Sequence, residues 1–166
     1  MKRKTLIILL VLSLTFNLIT GYYIYRINYD TGLTIEQRFV RVNKYINLAT
    51  NNLDAALTAE GPTEFYNKLF IADRQLFLVY GETNRLVSLI GRRYLVDVSE
   101  LPHEIFEIYR DIQMVKGEFT KNDLQKPGEK GEEALKRASA RLKELTQILI
   151  RTKVNRRDLK KLNNEI

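Results

Sequence analysis

The 166-residue chain has no cysteine and no tryptophan, one histidine, and only 3 prolines and 8 glycines. Without cysteine there is no disulfide framework, thiolate zinc site, iron–sulfur cluster, cysteine nucleophile or lipidated cysteine. A single histidine, His103, removes every chemistry that needs two imidazoles from one chain. Scarce proline and glycine argue against disorder and against turn-rich β architectures. No Gly-rich phosphate loop, G-x-S-x-G or Walker-type motif is present, and nothing local sets a serine beside a base. An enzyme is therefore not expected, and no cofactor is implied. No motif identifies a family.

What is present is unevenly placed. Hydrophobic residues make up 45% of the chain and charged residues 28%, an ordinary composition for one domain. Yet the chain opens with Lys2, Arg3 and Lys4, and residues 5–25 then run without a charge until Arg26. As a helix that run rises roughly 31 Å, close to the thickness of a bilayer's hydrocarbon core. Leu, Ile, Val and Phe dominate its centre, and Asn17 is its most polar member. Tyr22, Tyr23 and Tyr25 have the apolar ring and wet hydroxyl that suit a membrane interface. The nearest cleavage-like site, Ile19-Thr20-Gly21, is poor, and the apolar run continues past it. The expectation is an uncleaved signal-anchor helix over 5–25 behind a cytoplasmic basic stub, residues 1–4. A secreted chain after signal cleavage is the alternative. Three cations precede the span and only Arg26 follows closely, so the positive-inside rule puts the N-terminus in the cytoplasm and the C-terminal domain outside.

After a juxtamembrane linker, residues 26–33, the apolar periodicity is helical throughout. Ile35, Phe39, Val42, Ile46, Ala49, Leu53 and Ala56 recur at 4-3 spacing, with Thr34 and Gln37 placed as a capping box. Gly61-Pro62 ends that helix, with glycine suited to a left-handed turn. Phe65, Leu69, Ala72, Leu76, Val79, Thr83, Leu86 and Ile90 form a second stripe, with Gly81 and Thr83 as weak points where a bend or a ligand cavity is plausible. Leu101, Ile105, Ile108, Ile112, Val115 and Phe119 form a third, capped by Asp97 or Ser99. A polar loop covers 121–131. Leu135, Ala138, Leu142, Leu145 and Leu149 form a fourth stripe, followed at the same spacing by Thr152, Arg156 and Leu159; beyond Ile150 the apolar face thins and the helix is expected to project or fray. The fold class expected is all-α: a single transmembrane helix and an antiparallel four-helix bundle over 34–150. The alternative is a three-helix bundle with an extended C-terminal helix. Heptad stripes also fit a coiled coil between copies, hence a homo-oligomer.

Three side-chain groups invite a functional reading. Glu100 and His103 have E-x-x-H spacing, and His103 to Glu107 resembles H-E-x-x-H, but one histidine cannot complete either metal site. Glu100, Glu104, Glu107 and Asp111 make an acidic stripe for a basic partner, or else a solvated face paired with Arg92, Arg93, Arg110 or Lys116. Residues 151–166 hold Arg151, Lys153, Arg156, Arg157, Lys160 and Lys161 against two acids. They read as a frayed helix end or as a contact for anionic lipid or wall polymer. Nucleic acid is disfavoured by the deduced topology and the lack of aromatics there. The net charge of +7 divides accordingly: +3 in residues 1–4, +4 in 151–166, and 18 against 18 in between.

The expected function is protein–protein contact by a bitopic membrane protein, as scaffold, accessory subunit or regulator of an envelope assembly. A small-ligand sensor bundle and a phage-type envelope-disrupting protein are the alternatives.

Overall fold

A computed structural model describes the backbone of residues 2–119 and 127–166, and the side chains of 13–117 and 127–166 apart from 28 and 33. Among the described residues every regular element is helical: α1 (Lys2–Thr58), α2 (Pro62–Tyr94), α3 (Glu100–Phe119), α4 (Glu129–Arg151) and α5 (Arg156–Glu165). The chain divides into two compact units, Met1–Thr34 and Ile35–Ile166.

The first unit is the leading part of α1. Thr34 does not start a helix as the capping-box pattern predicts. Its hydroxyl donates to the Asp30 carbonyl at 2.8 Å, and Thr31 does the same to Ile27 at 2.7 Å. Each hydroxyl finds a partner one turn back, so no cap is needed, and no proline occurs before Pro62 to force a break. Residues 26–33 are therefore helical. Among the described residues no helix is long and apolar enough to cross a membrane. In the described part of the expected span, residues 13–25, Ser13, Thr15, Asn17, Thr20 and three tyrosines dilute the apolar residues, and Arg26 and Asp30 follow at once. Residues 5–12 and the basic stub Lys2, Arg3 and Lys4 lie outside the described side chains.

The second unit is a helical bundle. Its core is built from the expected stripes: Ile35, Val42, Ile46 and Leu53 of α1, Leu69, Leu76 and Leu86 of α2, Leu101, Ile105 and Ile112 of α3, and Leu135 and Leu142 of α4 are all fully buried. Phe119 lies outside the described side chains. Neighbouring helices run in opposite directions: Tyr80 of α2 meets the Phe106 ring of α3 at 5.7 Å, while Asp73, lower in α2, meets Gln113 and Lys116, higher in α3.

At the seam between each pair of neighbours sits a carboxylate. Glu82 pairs with Arg38 between α1 and α2. Asp73 takes Gln113 and Lys116 between α2 and α3. Between α3 and α4, Glu104 takes both Nε and Nη2 of Arg141 at 2.6 Å, and Asp111 lies 3.7 Å from the same guanidinium. Between α4 and α1, Asp54 accepts from Ser139 at 2.6 Å and pairs with Lys143 at 2.8 Å. Such pairs at the margin of an apolar core add modest stability, but a slip of register would break several together.

The breaks follow local chemistry. Gly61 does not adopt the left-handed turn expected of it. Its φ is −113°, and it serves as N-cap of α2 with Pro62 in the first turn, where the missing N–H is harmless. Thr83 is fully buried and its hydroxyl donates to the Tyr80 carbonyl at 3.0 Å, Gly81 faces open space, and the neighbouring Tyr80, Asn84 and Val87 border an open hollow of about 340 Å³ with Pro102, His103 and Phe106. The helix starts at Glu129, so the loop expected over 121–131 is shorter at its end, and residues 121–126 lie outside the described ones.

The largest difference is at the C-terminus. The fourth helix neither projects nor frays. It ends at Arg151, and Asn155 begins a new helix by accepting the Asp158 N–H on its side chain at 2.9 Å. This local bond competes with continuing the helix through Thr152 and Val154, both β-branched. The turn lets α5 fold back, so that Leu159 and Leu162 are fully buried in the core. Asn163 Oδ1 accepts the Glu100 N–H at 3.1 Å, and the Tyr94 hydroxyl donates to the Val154 carbonyl at 3.2 Å. The alternative of an extended C-terminal helix is overturned by that burial.

Candidate functional site

In the first unit, every described side chain of residues 13–27 is exposed. Phe16 and Leu18 are each 69% exposed, and Ile19, Tyr22, Tyr23, Ile24, Tyr25 and Ile27 are also open. A helix in water exposes one polar face, whereas this segment exposes apolar side chains on all faces. Tyr25 and Tyr29 stack at 6.4 Å, and Arg26 lies 4.0 Å from Asp30 at the polar end of the segment.

In the second unit the acidic stripe is largely consumed internally. Glu104 and Asp111 serve Arg141, and Glu107 pairs with Arg110. Glu100 is exposed. Of the four cations expected to neutralise the stripe only Arg110 does so, because Lys116 turns to Asp73. The main partner, Arg141, was not foreseen: it belongs to another helix, and no local spacing in the sequence links it to Glu104. Hydrogen bonding to Glu104 raises the Arg141 guanidinium further above its usual range, against the cost of partial burial. At Asp54 burial pushes the carboxyl up, but the hydrogen bonds from Lys143 and Ser139 and the charge of Lys143 outweigh it and hold it below 3.8. Burial, helped by the charge of Asp73, raises the Tyr109 hydroxyl. Among the described residues no group of three His, Cys, Asp or Glu is placed to hold a metal ion, and His103 is exposed.

The six C-terminal cations behave differently from those at the seams. Arg151, Lys153, Arg156, Arg157, Lys160 and Lys161 are all exposed and, among the described residues, none is in an ion pair. They are not on a loose tail. α5 is anchored by Leu159 and Leu162, which fixes Arg156, Arg157, Lys160 and Lys161 on the outer side of a docked helix. Arg92 is exposed at the neighbouring end of α2. Leu95 follows, 81% exposed and in the left-handed region with φ 53° and ψ 43°; its N–H is bonded to the Gly91 carbonyl at 3.1 Å. Leu95, Asp97, Arg156, Lys160 and Asn163 border one open hollow of about 270 Å³. Leu95 escaped sequence reasoning, because no local pattern marks a leucine for the left-handed region. On the other side of this end, a shallow groove of about 480 Å³ runs between α1 and the end of α4, past Phe39, Val40, Asn43, Leu149 and Ile150. The Asn43 side-chain carbonyl is buried without a partner.

Comparison with protein-family models, curated proteins and solved structures finds no match to this chain.

Proposed function

We propose that the chain is a single-span membrane protein whose helical bundle stands outside the cytoplasmic membrane. It works there by contact with a protein partner, as a scaffold, accessory subunit or regulator of a membrane assembly. The observation that carries this reading is the segment 13–27, apolar and exposed on all faces. Joined to the uncharged residues 5–12, it makes a run long enough for a bilayer, with tyrosines and Arg26 at one end and Lys2, Arg3 and Lys4 at the other. Within the bundle, Glu104 and Asp111 of α3 are taken up by Arg141, and Thr83 is buried and bonded.

Membrane fractionation with an alkaline carbonate wash tests this reading, followed by sizing of the detergent-solubilised full chain after crosslinking in intact cells. The chain should stay with the membrane, retain residues 1–25 by intact mass, and run in a complex larger than one chain in its micelle. Release by carbonate overturns the anchor. Recovery as a lone monomer, with no crosslinked partner, overturns the contact role.

A further inference from the structure

We propose that the end of the bundle formed by α5 and the α2–α3 turn is a docking face for an anionic bilayer, with Leu95 entering the headgroup layer among Arg92, Arg156 and Lys160. The inference builds on the anchored reading above and assigns the bundle a definite surface toward the membrane.

Leu95 is the first observation. A helix that ends in a left-handed residue normally places glycine there, because an L side chain in that conformation crowds its own backbone. Here the residue is leucine, and the side chain gains no burial in exchange, being 81% exposed. A backbone strain without internal compensation is reason to look for an external role. An apolar side chain at the tip of a turn fits the apolar part of an interface.

Charge is the second. The hollow beside Leu95 is bordered by Arg156 and Lys160, and Arg92 precedes it by one helical turn. None of these cations has an ion-pair partner among the described residues, whereas Arg38, Lys116, Arg141 and Lys143 all meet carboxylates at the seams. Asp97 borders the same hollow and accepts the Ser99 N–H at 2.9 Å, and Asp158 is bonded to Asn155, so two acids stand against the three cations Arg92, Arg156 and Lys160. The cations are also held in place, since Leu159 and Leu162 pin α5 to the core. Fixed cations around an exposed leucine match a surface of lipid phosphates over acyl chains. A soluble polyanion would use the cations but has no use for the strained leucine.

Connectivity is the third. Glu36 and Phe39 border the same groove as Thr152 and Val154, and Tyr94 bonds to Val154, so Ile35 enters the bundle at this same end.

The absence of tryptophan makes the test direct, because one introduced tryptophan is the only one in the chain. Full-length Leu95→Trp, Phe16→Trp and Thr63→Trp chains are reconstituted into phosphatidylcholine vesicles with and without phosphatidylglycerol, containing brominated acyl chains as quenchers. All three sites are exposed, so none of the substitutions disturbs the core. Emission from the Leu95→Trp chain should shift to the blue and be quenched at least about twofold more in the anionic vesicles, an excess that about 0.5 M salt removes. Arg156→Gln with Lys160→Gln, added to that chain, should remove the same excess. The Thr63→Trp chain, labelled at the opposite end of the bundle, should emit as in water. Equal emission from the Leu95→Trp and Thr63→Trp chains in both vesicles overturns the docking face, as does quenching indifferent to lipid charge. A Leu95→Trp signal that responds to soluble polyphosphate and is never quenched by the lipid assigns the cations to a polymer and also overturns it. Quenching in the Phe16→Trp chain but not in the Leu95→Trp chain leaves the anchor standing and removes the docking face. The reverse pattern supports the face and removes the anchor.

Discussion

Leu159→Ala decides whether α5 is part of the fold or an appended tail. Leu159 is fully buried, and alanine removes three carbons, worth about 2.4 kcal/mol at about 0.8 kcal/mol each. The space left behind adds to this, for a total of about 3 kcal/mol. A ceiling applies, however. α5 is ten residues long and held by Leu159, Leu162 and the Asn163 contact to the Glu100 N–H, so it can undock while the four longer helices stay packed. The loss cannot exceed the free energy of that docking. Leu159→Ala with Leu162→Ala should therefore cost less than the two single changes added. Hydrogen exchange of the full chain in lipid nanodiscs, read by mass spectrometry, separates the cases. Peptides within 156–165 should lose about 100-fold in protection, the equivalent of about 3 kcal/mol, and peptides within 69–86 should change little. If 156–165 exchanges at the free rate in the unaltered chain, or if the leucine change leaves its protection untouched, the docked α5 is wrong.

Three further outcomes are expected. A double-mutant cycle of Glu104→Gln and Arg141→Met should return a coupling of about 1 kcal/mol by urea unfolding, given its bidentate geometry and partial burial; coupling near zero refutes the seam. Asp54 has a lowered folded pKa, so its contribution is complete above its unfolded value of 3.8 and fades as pH falls through the folded value. Asp54→Asn should thus flatten the acid limb of melting temperature against pH below about pH 4, by a few tenths of a kcal/mol because the site is well solvated, and a limb parallel to that of the unaltered chain counts against it. Leu95→Gly should raise stability by about 0.5–1 kcal/mol, since glycine removes the left-handed penalty but is freer when unfolded; a lower melting temperature would show that Leu95 is not strained.

The core was legible because burial in a helix is periodic. Each described residue of the four stripes from Ile35 to Leu149 is buried, since side chains three and four apart share a face whatever the neighbour turns out to be. The ends of helices were harder. Thr34 has a capping residue's chemistry, but its hydroxyl serves the Asp30 carbonyl just as well, so the same residue fits a helix start and a helix interior. Asn155 was the opposite case, a cap hidden inside a basic run: the stripe reached Leu159 as if one helix continued, and the break at Asn155 and the burial of Leu162 were missed. Tertiary ion pairs were least legible. Arg141 lies 37 residues from Glu104, and only the packing of α3 on α4 brings them together.

The cations sort by that same packing. Arg38, Lys116 and Arg141 at the seams are partly buried and meet carboxylates, because an unpaired charge there would bear the desolvation cost alone. Those on α5 lie in water, where nothing in the fold requires them to be paired or even to be basic. Uncharged polar residues would solvate the outer side of a docked helix equally well. A residue choice that folding does not demand is explained by something outside the fold, and Leu95 poses the same question from the apolar side, since glycine would serve the turn better. The exposed cations of α5 and the strained leucine stand side by side around one hollow, which is why they are read together as one surface. Arg156→Gln with Lys160→Gln separates the two requirements: it should leave the urea midpoint of the bundle within about 0.5 kcal/mol of the unaltered chain while weakening contact with anionic vesicles. A large loss of stability in that variant would mean that the fold itself uses these charges, and the argument from their surplus would fail.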